Sequence, residues 1–302
     1  MNSVIQPLLD ALRSRLAAEE ALASLDIPSV ALPSVRLVTK RVPDDRIGVG
    51  ESRIGGIPDV PAEFEWPRWM PPRQRLGLLA RWRKPAVPTP LGFIAQIDLS
   101  SIPSVDDSLP SSGWLYFFYD RGREPWGFDP ADRGCSRVVH VKCDRSALAT
   151  ADPPSDLDPK HIAKPCRVDA VAELTLPGDW PILEYGTPAD EAYEALYDDL
   201  MKDGPGRHRL LGHAQVIQDS MELECQLASN GIYCGGPKGY QSAKAKVLAE
   251  GAADWRLLLQ IDSDRDGPGW MWVDAGRIYF WIKREDLYAQ RFDDAWLILQ
   301  GF

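Results

Sequence analysis

The chain has 302 residues, 44% of them apolar and 26% charged, with 26 prolines, 24 glycines and 11 tryptophans. That balance excludes a disordered or fibrous protein, and the length allows a sizeable core in one large unit or in two of the usual ~100–150 residues. The net charge of -10 is uneven: residues 1–150 hold 19 Lys and Arg against 18 Asp and Glu, and residues 151–302 hold 15 against 26. Such an acidic second half repels phosphate backbones, which leaves only a local patch for nucleic acid.

Ile5, Leu8, Leu9, Leu12, Leu16, Ala17 and Leu22 recur at helical spacing, and this predicts an amphipathic helix over 5–25. Asp10, Arg13 and Arg15 interrupt the apolar stretch a signal peptide needs, and the longest apolar run, Trp114 to Tyr119, is far short of the roughly 20 residues that cross a bilayer. A cytoplasmic location and no membrane partner are expected. Strands are predicted near 34–40, 91–97, 113–119 and 137–142, followed by a polar, proline-rich connector over 144–160 and a further strand over 167–176. Thr187-Pro-Ala-Asp190 supplies an N-cap, a proline in the first turn and an acid, so a second helix begins there and stops at Gly204-Pro205-Gly206. A third helix is expected over 241–250, closed by Gly251 in a left-handed conformation. Strands near 255–261, 277–282 and 295–300 complete the chain.

Strands mixed with a few helices, without regular βαβ alternation, predict an α+β fold. Internal similarity refines it. Gln96-Ile-Asp98 precedes Gly113-Trp-Leu-Tyr-Phe117, and Gln260-Ile-Asp262 precedes Gly276-Arg-Ile-Tyr-Phe280, with 17 residues from Gln96 to Gly113 and 16 from Gln260 to Gly276. The reading is a duplication: two related halves with mixed, mostly antiparallel sheets and flanking helices, related by a pseudo-twofold axis. The organisation expected is an N-terminal helix over 1–30, a first repeat over 31–143, a connector over 144–165 and a second repeat over 166–302, the repeats packing as one compact unit.

The segments Ser52-Arg-Ile-Gly-Gly-Ile-Pro-Asp-Val-Pro61, Leu91-Gly-Phe-Ile-Ala-Gln-Ile-Asp-Leu99, Trp126-Gly-Phe-Asp-Pro130, Leu211-Gly-His-Ala-Gln215, Glu222-Leu-Glu-Cys-Gln-Leu227, Tyr233-Cys-Gly235 and Leu258-Leu-Leu-Gln-Ile-Asp-Ser-Asp264 together resemble the YwqG-like family, over roughly residues 45–300. The resemblance implies an α+β protein of two related halves, bacterial and cytoplasmic, and carries no catalytic residues over. The basic segment 68–84, with Arg68, Arg73, Arg75, Arg81, Arg83 and Lys84 around Trp69 and Trp82, departs from it. A cationic stretch with interleaved aromatics has the make-up of a single-strand site, but a solvated face is the simpler reading.

Asp262, Asp264 and Asp266 with Gly267 open like a calcium loop, in which alternating carboxylates converge on a hard cation. Val273 stands where the bidentate glutamate belongs, so a polar hairpin is the preferred account and a divalent-cation site the alternative. Asp120, Asp129 and Asp132 read as turn caps. His213, Glu222, Glu224 and Cys225 have zinc-compatible chemistry without a compelling spacing. The five cysteines are odd in number and contain no C-x-x-C, which favours free buried thiols. A groove between the halves near Trp126, Asp129, Tyr233 and Trp272 is the expected ligand site, since aromatics beside a carboxylate stack on and hydrogen-bond a ligand.

No nucleophile elbow, H-E-x-x-H or P-loop occurs. The leading expectation is therefore a non-catalytic binding or protein-interaction module without a cofactor, for which an acidic immunity-like partner of a basic protein is one form. The competing expectation is a metal-assisted hydrolase that gathers Asp120, Asp129, Asp262 and Asp264 between the halves.

Overall fold

The computed structural model describes residues 3–43, 46–72, 87–178, 183–201 and 207–302. Most of the basic segment, residues 73–84, and the Gly204-Pro205-Gly206 stop lie outside the described residues. The strands are β1 (Leu32–Arg41), β2 (Arg53–Ile54), β3 (Asp59–Pro61), β4 (Arg68–Trp69), β5 (Thr89–Pro90), β6 (Gly92–Asp98), β7 (Trp114–Tyr119), β8 (Ser136–Val141), β9 (Leu148–Thr150), β10 (Cys166–Thr175), β11 (Arg209–Leu211), β12 (Trp255–Asp262), β13 (Arg277–Lys283) and β14 (Trp296–Gln300). The helices are α1 (Gln6–Ala17), α2 (Ile27–Val30), α3 (Pro188–Leu200), α4 (Glu222–Ser229), α5 (Pro237–Tyr240), α6 (Ala243–Leu248) and α7 (Arg284–Tyr288).

Ten strands form one sheet in the order β14-β13-β12-β11-β1-β10-β2-β6-β7-β8. Among the described residues every pairing between named strands is antiparallel, in keeping with the α+β fold of mostly antiparallel sheets expected from the sequence. The central pair is β1 and β10, joined over ten residues from Leu32↔Thr175 to Arg41↔Cys166. Outward from it the two wings run alike. Arg53 stands opposite Gln96 in one wing and Arg209 opposite Gln260 in the other. The register shifts between Phe93 and Ala95 and again between Leu257 and Leu259. Gly55 and Gly56 leave β2 at φ 71° and 74°, and Leu211 and Gly212 leave β11 at φ 60° and 73°.

The strand order also crosses the wings. β1, first in sequence, pairs with β11 of the second half, and β10 of the second half pairs with β2 of the first. A boundary at 143–166 thus divides the chain but not the sheet. The connector contributes as well, since β9 pairs with β3 through Asp59↔Thr150.

All six residues of β7 are buried, as both faces of the strand are covered. Tyr116 and Phe118 pack on Phe64, and Phe118 also meets Trp66 and Phe93. Phe117, on the opposite face, meets Phe280 of β13 edge-on at 5.2 Å. The wings therefore face one another across a shared core that holds Ile97, Leu115, Ile261, Ile278 and Phe280. The far side of the second wing, with Tyr279, Trp281, Trp296 and Ile298, is covered by Met221, Cys225 and Leu227 at α4 and by Ala245 of α6. Burial of each such side chain contributes about 1.5–3 kcal/mol, which is why apolar strands of this kind pack face to face.

The predicted N-terminal helix ends at Ala17, earlier than its apolar spacing suggests, and Leu22 reaches the core from a separate short turn, Glu20–Leu22. Thr187 caps α3 as expected, its Oγ1 accepting from the Asp190 amide. Gly251 is not a left-handed helix end. It lies in the helical turn Ala249–Asp254 after α6, and a Cβ there would sit 2.4 Å from Gln226 Nε2. The missing side chain makes room for Gln226, whose Oε1 accepts from Trp255 Nε1 at 2.9 Å.

Candidate functional site

Each wing encloses a knot of polar groups at the crossing of its first two strands. In the first, the Gln96 amide accepts from the Asp59 amide N at 2.6 Å and donates to the Glu51 carbonyl at 2.9 Å, while the Tyr116 hydroxyl donates to the Asp59 carbonyl at 2.7 Å. In the second, Gln260 accepts from the Gln215 amide N at 2.9 Å and donates to the Arg207 carbonyl at 2.7 Å, while Tyr279 donates to the Gln215 carbonyl at 2.7 Å. The side chains at the corresponding positions differ. Asp59 meets Arg53 Nη2 at 2.5 Å and also accepts from the Gly50 amide and Thr150 Oγ1; its counterpart Gln215 is an amide.

The loop 120–134 of the first wing crosses to the outer edge of the second wing. The Leu299 amide donates to the Trp126 carbonyl at 3.0 Å, and Trp296 Nε1 donates to the Gly127 carbonyl at 2.8 Å. Gly127 has φ +87°, and a Cβ there would lie 1.9 Å from the Leu297 carbonyl oxygen, so only glycine permits this approach. The Cys234 amide donates to the Phe128 carbonyl, and the Phe128 and Tyr233 rings stand perpendicular with centroids 5.5 Å apart. Of the expected groove residues, Trp126, Asp129 and Tyr233 thus belong to one junction between the halves, linked through Phe128. Trp272 is fully buried; it packs on Tyr119 and Trp270 and lies under the Arg121 guanidinium at 5.6 Å.

The aspartates serve local structure. Asp129 accepts from the Ala131 amide, Asp132 from the Gly127 amide, and Asp120 from the Gly122 and Arg123 amides. Asp262 takes Arg277 Nε at 2.9 Å and the Arg207 amide at 3.2 Å. Asp264 takes Thr39 Oγ1, the Gly267 amide and His208 Nε2, whose Nδ1 accepts from the Asp262 amide. These hydrogen bonds hold the Asp264 carboxyl below its ordinary value against the opposing effect of burial. Asp266 is exposed. The loop closes through an antiparallel bridge between Asp264 and Trp270, as a polar hairpin does. Among the described residues no group of three or more His, Cys, Asp or Glu is placed to hold a metal ion.

Four of the five free cysteines are buried and Cys143 is half-buried. Burial is the chief cause that pushes the Cys166 thiol up to about 11 and the Cys135 and Cys225 thiols well above their ordinary value, so none of these is an activated nucleophile. His213 Nε2 lies 2.8 Å from the Val30 carbonyl. Glu224, on the first turn of α4, is pushed up to about 7, mainly by burial and secondarily by Asp219. Because its folded value lies above the unfolded one near 4.5, its ionisation destabilises the fold as pH rises from about 4.5 to 7. Glu224→Gln is expected to leave stability unchanged at pH 4 and to raise it at pH 8, by on the order of 3 kcal/mol, as read from urea unfolding at the two pH values.

At the seam where the outer strands β8 and β14 approach, a cavity of about 460 Å³ opens. Arg68, Arg133 and Arg137 line it together with Asp132, Asp293, Asp294, Trp69 and Trp296. Arg133 lies over the Trp296 ring at 5.2 Å and donates to the Ser229 carbonyl, and Arg137 pairs with Asp293 at 3.6 Å. Sequence reading found Arg68 and Trp69 in the basic segment but missed the rest of this set, whose members are far apart in the chain.

An all-antiparallel sheet folded so that its two wings share a core, with charged groups gathered at their seam, defines the class of protein. The model of the family described as Domain of unknown function (DUF1963) matches residues 52–301, and the chain belongs to that family. No curated protein matches the chain. Among the described residues no helix is long and apolar enough to cross a membrane.

Proposed function

We propose that this protein is a duplicated, YwqG-like, cytoplasmic bacterial binding module, without catalysis of its own, that receives a charged segment of a protein partner at the seam between its wings. The observation that carries the reading is the seam cavity, whose lining includes three arginines, three aspartates, Trp69 and Trp296. A surface with both charge signs over an aromatic base suits recognition by paired charges, which sets specificity and association rate. The duplication rests on the matched registers and polar knots of the two wings. The hydrolase reading is less supported, because the carboxylates of Asp120, Asp129, Asp262 and Asp264 each accept from protein donors.

The test reverses charge at the rim. Arg68 and Arg137 are exposed or half-buried, and their ion pairs with Asp156 and Asp293 belong to the surface class, worth about 0–1 kcal/mol. The R68E/R137E variant is expected to fold while losing at least tenfold in affinity for whatever the wild-type protein retains from native lysate, and the wild-type interaction is expected to weaken with salt. Equal retention by the variant, or no partner at any salt concentration, would defeat the reading.

A further inference from the structure

Each wing sends one loop across to the other. The loops after β6 and β12 open alike, the Leu99 amide donating to the Gly113 carbonyl at 3.0 Å and the Ser263 amide to the Gly276 carbonyl at 3.1 Å. Counted from Asp98 and Asp262, which end the two strands, Asp106 and Ser108 hold the places of Trp270 and Trp272. The receiving sides match as well. Tyr119 stands opposite Gly92 and Ile282 opposite Arg256, and two residues further on come Arg121 and Arg284. The matching of positions rests on the duplication proposed above.

The chemistry at the two crossings differs. Trp270 and Trp272 are 1% and 0% exposed, and the Arg121 guanidinium lies 5.4 and 5.6 Å from their ring centroids. Two indoles thus fill the first crossing beside a guanidinium that is attracted to their faces. At the second crossing the loop brings a carboxylate and a hydroxyl instead, and a cavity of about 90 Å³ opens there. Asp106, Ser108 and Arg284 line it, and Leu32, Leu211 and Leu287 supply apolar wall. Leu211 is left-handed, with φ 60°, where the first wing has Gly55 at 71°. Leucine is strained in that conformation, and the strained residue places an apolar side chain at the wall. Ser108 donates to Asp106 Oδ1 through both its amide and its hydroxyl, so among the described residues Oδ2 keeps its accepting capacity.

We propose that this cavity binds a small aromatic molecule whose ring carries an N–H or O–H group, the ring taking the place that an indole takes in the first crossing. Arg284 covers the ring face as Arg121 does. Asp106 accepts from the donor on the ring edge, a charge-assisted bond that selects such rings over plain hydrocarbons. At about 90 Å³ the cavity is smaller than the ~300–1,000 Å³ of drug-sized sites, so it takes a single ring system and not a peptide segment.

The experiment titrates the purified full chain, by calorimetry and thermal unfolding, with indole, with 1-methylindole, which lacks the N–H, and with cyclohexanol, which lacks the aromatic face. At about ten times its dissociation constant, indole is expected to raise Tm by roughly 2–4 °C beyond cyclohexanol. 1-Methylindole is expected to bind about tenfold more weakly, since it cannot donate to Asp106. Asp106→Trp, which brings in the residue type of the first crossing, is expected to fill the cavity and to lose the indole response. Arg284→Met, at an exposed position, keeps an apolar stem and is expected to weaken indole about fivefold; it keeps the test decisive if Asp106→Trp does not fold. Indole no better than cyclohexanol, 1-methylindole equal to indole, or an undiminished response in Arg284→Met or in a folded Asp106→Trp would overturn the proposal. The cavity shares no residue with the seam, so none of these results bears on the charge-reversal test there.

Discussion

Asp59→Ala is expected to lower the unfolding free energy by about 3–5 kcal/mol, because it leaves the Arg53 guanidinium enclosed without its counter-ion. The pair is 3% and 0% exposed, and the same carboxylate accepts from the Gly50 amide and Thr150 Oγ1. Its removal therefore takes the acceptor from three donors at once, and an unmatched buried charge costs more than the pair contributes. Asp59→Asn keeps the shape and removes the charge, so it separates the two contributions and is expected to fall between wild type and alanine. The double variant R53M/D59L removes both charges and is expected to regain part of the loss. Urea unfolding of the four proteins measures this, and an Asp59→Asn within about 1 kcal/mol of wild type would show that the charge does not hold the knot.

The same comparison explains why the second wing carries an amide at this place. Arg209 has Glu173 of β10 at 3.3 Å from its Nε, and Arg277 has Asp262. Each guanidinium near Gln215 therefore has a carboxylate supplied from elsewhere in the sheet. The two wings solve one backbone problem, the capping of a strand crossing by a glutamine and a tyrosine, with different charge arrangements around it.

The strands and the two better helices were legible because their signals are local. β7 is a continuous aromatic run, and α3 begins with a capping threonine followed by proline and acids. Gln96 and Gln260 stood out because Gln-Ile-Asp recurs before an aromatic strand, and each stands opposite an arginine in its wing. The helix α4 was not read as a helix. Glu222-Leu-Glu-Cys-Gln-Leu-Ala-Ser229 buries Cys225, Gln226, Leu227 and Ala228 in succession, so no clean polar stripe marks it. Trp272 was read as a groove residue from its type alone, whereas its indole nitrogen donates to the Asp262 carbonyl and its ring lies wholly inside. The polar knots were missed although a sign was present: placing Arg53 against Arg209, in a register eight residues off that of Gln96 and Gln260, sets Ser52-Arg-Ile-Gly-Gly-Ile-Pro-Asp59 against His208-Arg-Leu-Leu-Gly-His-Ala-Gln215, with arginine shared and the acid exchanged for an amide. Beyond Arg68 and Trp69 the seam could not be read, because Arg133 and Asp293 join them only after the sheet has folded over.

Neither half of the chain is expected to fold alone when 1–150 and 151–302 are produced separately, whereas together they are expected to assemble into one folded complex. The reason lies in the exchange at the centre of the sheet. Residues 1–150 contain β1 but not its neighbours β10 and β11, and residues 151–302 contain β10 but not β1 or β2. Each half would expose a ten-residue strand with no partner on either edge, and each would lose the opposite wing that covers Phe117 or Phe280. Unpaired strand edges and an open apolar face favour aggregation over a monomeric fold. The cut itself falls after Thr150, within the polar connector and at the end of β9, and severs no pairing within a strand. Circular dichroism and size exclusion on the separate and mixed halves decide the matter. A first half that melts cooperatively as a monomer would show that its wing is an autonomous unit and that the exchange of β1 and β10 is dispensable.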